Sequence, residues 1–151
     1  MAKEFSQGTW DEDLEHDLRQ LIRLAILEDL GREFDWTTVA LVPPEAEASA
    51  CVVARHGGVF AGERVAEVVF QEMGSPISWT ALIADRTVVN AGCILGQARG
   101  PARDLLTAER ILLNFLGRLC GIATLTARFV AELKGLPTRL YDTRKTTPGW
   151  R

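Results

Sequence analysis

The residues best suited to chemistry stand near the end of the chain, in Tyr141-Asp142-Thr143-Arg144-Lys145-Thr146-Thr147-Pro148-Gly149. Two adjacent cations and three threonine hydroxyls are gathered there. A guanidinium grips a carboxylate or phosphate with two parallel hydrogen bonds, and an ammonium adds a compact point charge. Hydroxyls and turn amides can fill the acceptor sites that remain on such an anion. Residue types alone also allow a plainer reading, a solvated basic loop closed by Pro148-Gly149.

A second candidate set is Thr107, Arg110, Asn114 and Arg118, at separations of 3, 4 and 4. On a helix these share one face, while Leu105, Leu106, Leu112, Leu113, Phe115, Leu116 and Leu119 cover most of the rest. The pattern predicts a helix buried nearly all round, with one polar row aimed at something specific. An arginine in such a setting is costly unless it is paired or serves a ligand. Glu109, Asp104 or another acid would supply the pair. Glu28, Asp29 and Asp35 could form an acidic cluster for magnesium, or be scattered surface acids. His56, beside Gly57-Gly58, reads as a loop or strand-end histidine. No GxGxxG, P-loop or GxSxG sequence occurs.

Composition limits what such a site can serve. The chain has 151 residues and a net charge of −3, so no global basic field invites nucleic acid or an anionic membrane. No apolar run approaches the roughly 18 residues of a membrane span, and the start has no secretory apolar core. Cys51, Cys93 and Cys120 are an odd number without CxxC spacing, which argues against a disulfide framework and a zinc ribbon. They read as small core residues in a reducing, cytoplasmic setting. Two histidines, His16 and His56, are too few for a multi-histidine metal site.

The elements that must position these residues follow from periodicity. Leu14, Leu18, Leu21, Ile22, Ala25 and Ile26 predict an amphipathic helix, capped by Asp11 or Asp13 and stopped at Gly31, with Trp10 as an anchor. Residues 32–47 read as connecting chain, since Pro43-Pro44 forbids helix. Strands are expected at Ala48–Arg55, Ile77–Ala84, Thr87–Val89 and Cys93–Ala98, with a helix at Arg64–Met73. After Pro101 the expectation is a helix capped by Asp104 and running to Leu119. A second helix at Ala123–Leu133 and a strand at Thr138–Asp142 follow it. The fold class reads as α/β, with an α+β part over residues 1–101 and an unfinished second domain over 102–151. Functional residues of barrels lie just past strand C-termini, where the Thr143–Lys145 loop would fall.

The blocks Leu105-Leu106-Thr107-Ala108-Glu109-Arg110, Asn114-Phe115-Leu116, Gly121-Ile122-Ala123-Thr124-Leu125-Thr126 and Asp142–Gly149 together resemble one family, quinolinate phosphoribosyltransferase. Glu28-Asp29-Leu30-Gly31 and Ala54-Arg55…Gly58-Val59-Phe60-Ala61-Gly62 agree in order and spacing. The resemblance implies a pentosyltransferase converting quinolinate and phosphoribosyl pyrophosphate to nicotinate mononucleotide, pyrophosphate and carbon dioxide, a step of de novo NAD synthesis. It implies an N-terminal α+β sandwich domain followed by the truncated start of an α/β barrel domain. It also implies magnesium, with ligands outside this chain, and a homodimer or larger assembly. It implies that Thr143, Arg144 and Lys145 line the substrate pocket and that Arg110 reaches a neighbouring subunit's site. No protein nucleophile is expected. Departures are Phe34-Asp35-Trp36-Thr37-Thr38 in place of a Gly-Asp-(Ile/Val)-Thr block, His56 for an acid, and Cys120 for serine. A regular barrel alone needs roughly 250 residues, so the chain is expected to be an incomplete N-terminal part, inactive alone. Two other readings are a pyrophosphorylase-like paralogue of molybdenum transport loci and a non-catalytic dimerising module.

Overall fold

A computed structural model of the protein describes residues 8–31 and 33–150. The first helix, α1 (Glu12–Leu30), begins where Asp11 accepts a hydrogen bond from the Leu14 amide at 2.9 Å, and ends at Gly31, whose φ of 62° the absence of a Cβ permits. Trp10 anchors the start as expected, with the Arg64 guanidinium 5.3 Å above its ring. The linker expected over 32–47 instead contains a short helix, α2 (Trp36–Leu41), which ends before the proline pair. Its start signal is Asp35 three residues ahead of Thr38, an N-cap arrangement.

Three antiparallel strands form the main sheet in the order β1 (Glu47–Val53), β5 (Ile94–Pro101), β3 (Ser78–Ala81). A separate pair joins β2 (Gly58–Val59) to β4 (Val88–Val89). Helix α3 (Val65–Glu72) lies between β2 and β3 in sequence and supplies five core side chains, Val65, Ala66, Val68, Val69 and Phe70. Strand β1 is an edge strand whose side chains are largely open to solvent, so Cys51 is exposed and not the core residue its apolar neighbours suggested. Cys93 is half-buried.

The last helix corrects three expectations. α4 (Ala102–Glu132) is one continuous helix of 31 residues, not two. Gly117 and Gly121 lie inside it, because an interior glycine costs only about 1 kcal/mol and the apolar pattern runs through both. Its start is not capped by Asp104, which lies in the first turn. Pro101 occupies the cap position, and the Ala102 amide donates to the Ala46 carbonyl at 2.7 Å. Finally, α4 is not buried all round. Leu105, Ala108, Ile111, Leu112, Phe115 and Leu116 enter the core, but Leu106 and Leu113 are 43% and 45% exposed. By length and composition this helix would also suit a membrane span, which the sequence reading did not anticipate. Its first half is packed against protein instead. The strand expected at Thr138–Asp142 is irregular chain that joins neither sheet among the described residues.

One core holds these parts together. Ile22 of α1, the α3 side chains, Leu95 and Ala98 of β5, and the first half of α4 form a single buried cluster. Burying such side chains contributes about 1.5–3 kcal/mol each. The ion pairs of Glu72, whose side chain is only 9% exposed, with Arg19 and Arg23 join α1 to α3, but they are two contacts beside the many buried side chains of the core. Packing therefore decides the arrangement, and the glycines show how tight it is. A Cβ at Gly96 would stand 2.2 Å from the Trp79 ring, whereas one at Gly117 meets nothing within 4 Å. Gly96→Ala should therefore destabilise the chain by about 1–3 kcal/mol. Gly117→Ala should stabilise it by up to about 1 kcal/mol. Urea unfolding midpoints of the two variants should shift in opposite directions.

Candidate functional site

The polar row of α4 is present, and its two arginines are held by residues far away in sequence, whereas the Thr107 hydroxyl donates to the Arg103 carbonyl of the same helix at 2.9 Å. Arg110 donates from Nε to both carboxylate oxygens of Asp29 at 3.0 and 3.1 Å. Its Nη2 reaches Asp29 Oδ2 at 2.9 Å and Asp35 Oδ2 at 3.3 Å. The arginine is thus paired with neither Glu109 nor Asp104, but with the end of α1 and the cap of α2. Asp35 does two things at once. It accepts from the Thr38 amide at 3.2 Å and the Thr38 hydroxyl at 3.0 Å, and it faces Arg110. The Thr38 amide, and after it the Thr38 hydroxyl and Arg110, hold the Asp35 carboxyl below the usual carboxylate range.

These contacts settle what stands in place of the expected Gly-Asp-(Ile/Val)-Thr block. Asp35 caps α2, Thr38 supplies both hydrogen-bond donors to it, and Trp36 turns outward to donate to Glu33 at 2.7 Å. With Asp29 and Asp35 both turned to Arg110, the acidic residues do not fit a magnesium ion. Among the described residues no group of three or more His, Cys, Asp or Glu side chains is gathered for a metal.

Two turns further along α4, Arg118 lies 4.9 Å above the Trp150 ring and donates to the Thr147 hydroxyl. Trp150 also packs on Phe115, with centroids 5.1 Å apart. The end of the basic segment is therefore pinned to the same helix face that carries Arg110. A groove of about 480 Å³ runs there between α1 and α4, with Glu28, Asp29, Asn114, Arg118 and Trp150 in its walls. Trp150 was not singled out by sequence reasoning. The signal available was an aromatic residue just after Pro148-Gly149, where φ at Gly149 is 83°.

Thr143, Arg144 and Lys145 lie in irregular, exposed chain. The Lys145 amide donates to the Thr143 hydroxyl at 3.3 Å, a local turn contact. Neither Arg144 nor Lys145 forms an ion pair among the described residues. Arg110 is neutralised and these two cations are not.

A second, more apolar groove of about 540 Å³ lies between residues 52–60 and α4, with Arg55, His56 and Arg128 among its lining residues. Its floor explains two small residues. The Thr124 hydroxyl accepts from the Val59 amide at 2.9 Å, and a Cβ on Gly58 would come within 2.5 Å of that oxygen. Cys120 accepts from the Ala61 amide and donates to the Ala61 carbonyl, both at 3.4 Å. The thiol thus makes the two hydrogen bonds a serine hydroxyl would make, so serine and cysteine are interchangeable there in kind.

Comparison with known proteins identifies the family of the fold. The family described as quinolinate phosphoribosyl transferase, N-terminal domain, matches residues 35–120. Nicotinate-nucleotide pyrophosphorylase [carboxylating] of Mycobacterium leprae is 39% identical over 142 residues, covering 92% of this chain and 50% of that protein. The chloroplastic protein of that name from Arabidopsis thaliana is 36% identical, over 90% of this chain and 38% of its own length. The solved structure of nicotinate-nucleotide pyrophosphorylase from Francisella tularensis superposes with a TM-score of 0.82 at 31% identity, over 89% of this chain and 48% of that one. The chain therefore spans half or less of the length of these relatives. The match to the family's N-terminal domain covers Arg110, its partner Asp35 and Cys120, and the mixed α/β architecture agrees with it.

The carboxylate of Asp35 fixes a pH dependence. Its folded-state value lies below that of an unfolded aspartate, about 3.9. The stability it contributes is therefore complete above that value and is lost as pH falls through the folded one. Asp35→Asn should lower the urea midpoint at neutral pH. It should also narrow the difference between midpoints measured at neutral pH and near pH 3. An unchanged acid dependence would show that Asp35 is not ionised against Thr38 and Arg110.

Proposed function

We propose that this chain, which belongs to the quinolinate phosphoribosyltransferase family, supplies the N-terminal domain and part of the anion grip of an enzyme that transfers phosphoribose to quinolinate with loss of carbon dioxide. The observation that carries the reading is the pair Arg144 and Lys145, exposed and without counter-carboxylates among the described residues. Both substrates carry several negative charges, and such cations are what a dianion and a pyrophosphate require. The names of the relatives, nicotinate-nucleotide pyrophosphorylase [carboxylating] and quinolinate phosphoribosyltransferase, state the same chemistry.

In this reading Arg144 and Arg110 hold carboxylates of quinolinate, with Arg110 arriving from a neighbouring subunit. Thr143 donates to the same anion, and Lys145 offsets charge on the phosphoryl groups. Ribosyl transfer passes through an oxocarbenium-like centre, and decarboxylation then leaves negative charge on a ring carbon. Orientation and fixed electrostatics lower both barriers, so no nucleophilic side chain is needed. Magnesium would accompany phosphoribosyl pyrophosphate, with ligands outside this chain. Three unpaired cysteines suit a cytoplasmic setting.

Turnover in this reading needs more chain than the 151 residues provide. The second half of α4 supports that. Ile122, Leu125, Phe129 and Val130 are each more than half exposed, an apolar face that further chain or a second subunit would cover.

The test is steady-state kinetics of the complete enzyme carrying these residues. Arg144→Ala should raise KM for quinolinate roughly 10- to 100-fold, since each charge-assisted hydrogen bond contributes about 1.5–3 kcal/mol. Lys145→Ala should depress kcat with phosphoribosyl pyrophosphate. Unchanged constants in both variants, or turnover independent of quinolinate, would refute the reading. The second outcome would favour the molybdenum-locus paralogue.

A further inference from the structure

The contact between Arg110 and its two acids asks more of the chain than neutralisation requires. One carboxylate would cancel one guanidinium, yet Asp29 and Asp35 both bind it, from different helices. Asp29 is also badly placed for stability. It lies in the last turn of α1, where the helix dipole disfavours a carboxylate and no basic residue of that turn compensates. The arrangement binds Nε and Nη2 of Arg110 and leaves Nη1 without a hydrogen bond among the described residues, on a side chain that is half exposed.

We propose that Asp29 and Asp35 are positioning residues for Arg110, fixing the plane of its guanidinium so that the unbound Nη1 edge is presented to a carboxylate of an aromatic dicarboxylate substrate. This deepens the reading above and rests on its assignment of Arg110 to the quinolinate site. The physical gain is pre-orientation. A free arginine side chain carries about 2 kcal/mol of rotamer entropy, much of which is removed before the ligand arrives. Two carboxylates against one guanidinium leave the cluster net negative, so it does not draw a dianion from a distance. Its contribution is N–H direction at contact, where carboxylate recognition is most sensitive to geometry.

Three variants of the complete enzyme test this: Asp29→Asn, Asp35→Asn and Arg110→Ala. Asp29→Asn preserves side-chain shape and relieves the helix dipole, so the fold should persist. Asp35→Asn weakens the α2 cap and serves as the second variant. Asp29→Asn should raise KM for quinolinate about tenfold with kcat and KM for phosphoribosyl pyrophosphate little changed, a split that general loosening of the fold would not produce. The increase should hold at high salt, because it reflects geometry and not screened attraction. Asp29→Glu, which restores a carboxylate, should recover part of the loss. If Arg110→Ala raises KM for quinolinate while Asp29→Asn leaves it unchanged or lowers it, the positioning proposal is overturned and the function stands. If Arg110→Ala itself has no effect on that KM, the assignment of Arg110 to the substrate site falls, and this proposal with it.

Discussion

The packing of α1 against α4 is the constraint on which the site depends, because it brings the end of α1 and the cap of α2 to the one guanidinium of Arg110. Its partners come from the end of α1 and the cap of α2, so three helices converge on one side chain. Asp35 could not face Arg110 unless α2 began at Trp36, and α2 begins there because Asp35 accepts from Thr38. Ile22, earlier on α1, sits in the same core as Ala108 and Ile111 of α4, which sets the distance across which Asp29 reaches. Packing places the helices, and the ion pairs then choose the rotamers.

Much of this arrangement was legible in the sequence because it rests on local rules. The cap, left between Asp11 and Asp13, the stop at Gly31 and the shared face of Thr107, Arg110, Asn114 and Arg118 each follow from spacing, and the structure selects Asp11. What was not legible depended on distant residues. No spacing rule connects Arg110 to Asp29, 81 positions away, nor Cys120 to Ala61. Helix α2 was hidden by the prolines that follow it, although its Asp35-to-Thr38 cap was in view. The break expected at Gly121 reflected glycine's reputation as a helix breaker, which a strongly apolar pattern overrides. Thr138–Asp142 has the residue types of a strand, but a strand forms only in a ladder, and among the described residues it joins neither sheet.

The two halves of α4 differ in the same way. The first half is buried against α1, α3 and β5, and the second exposes Ile122, Leu125, Phe129 and Val130. The relatives extend to two or more times the matched length, and in the function proposed here the exposed half is where the rest of the enzyme would pack. The cations follow the same division. Arg110 and Arg118 are satisfied within the described residues, Arg110 by carboxylates and Arg118 by Thr147 and Trp150, whereas Arg144 and Lys145 have no ion-pair partner there. Such a pair on an otherwise acidic protein is what an anionic substrate would meet.

The central claim is that the native protein containing this chain couples phosphoribosyl transfer to decarboxylation of a pyridine dicarboxylate. The most direct measurement is release of labelled carbon dioxide from carboxyl-labelled quinolinate by protein purified from its native source. The account predicts carbon dioxide and pyrophosphate in equal amounts, and neither product when phosphoribosyl pyrophosphate is withheld. Pyrophosphate formed without carbon dioxide, or no turnover from the intact native assembly, would contradict it.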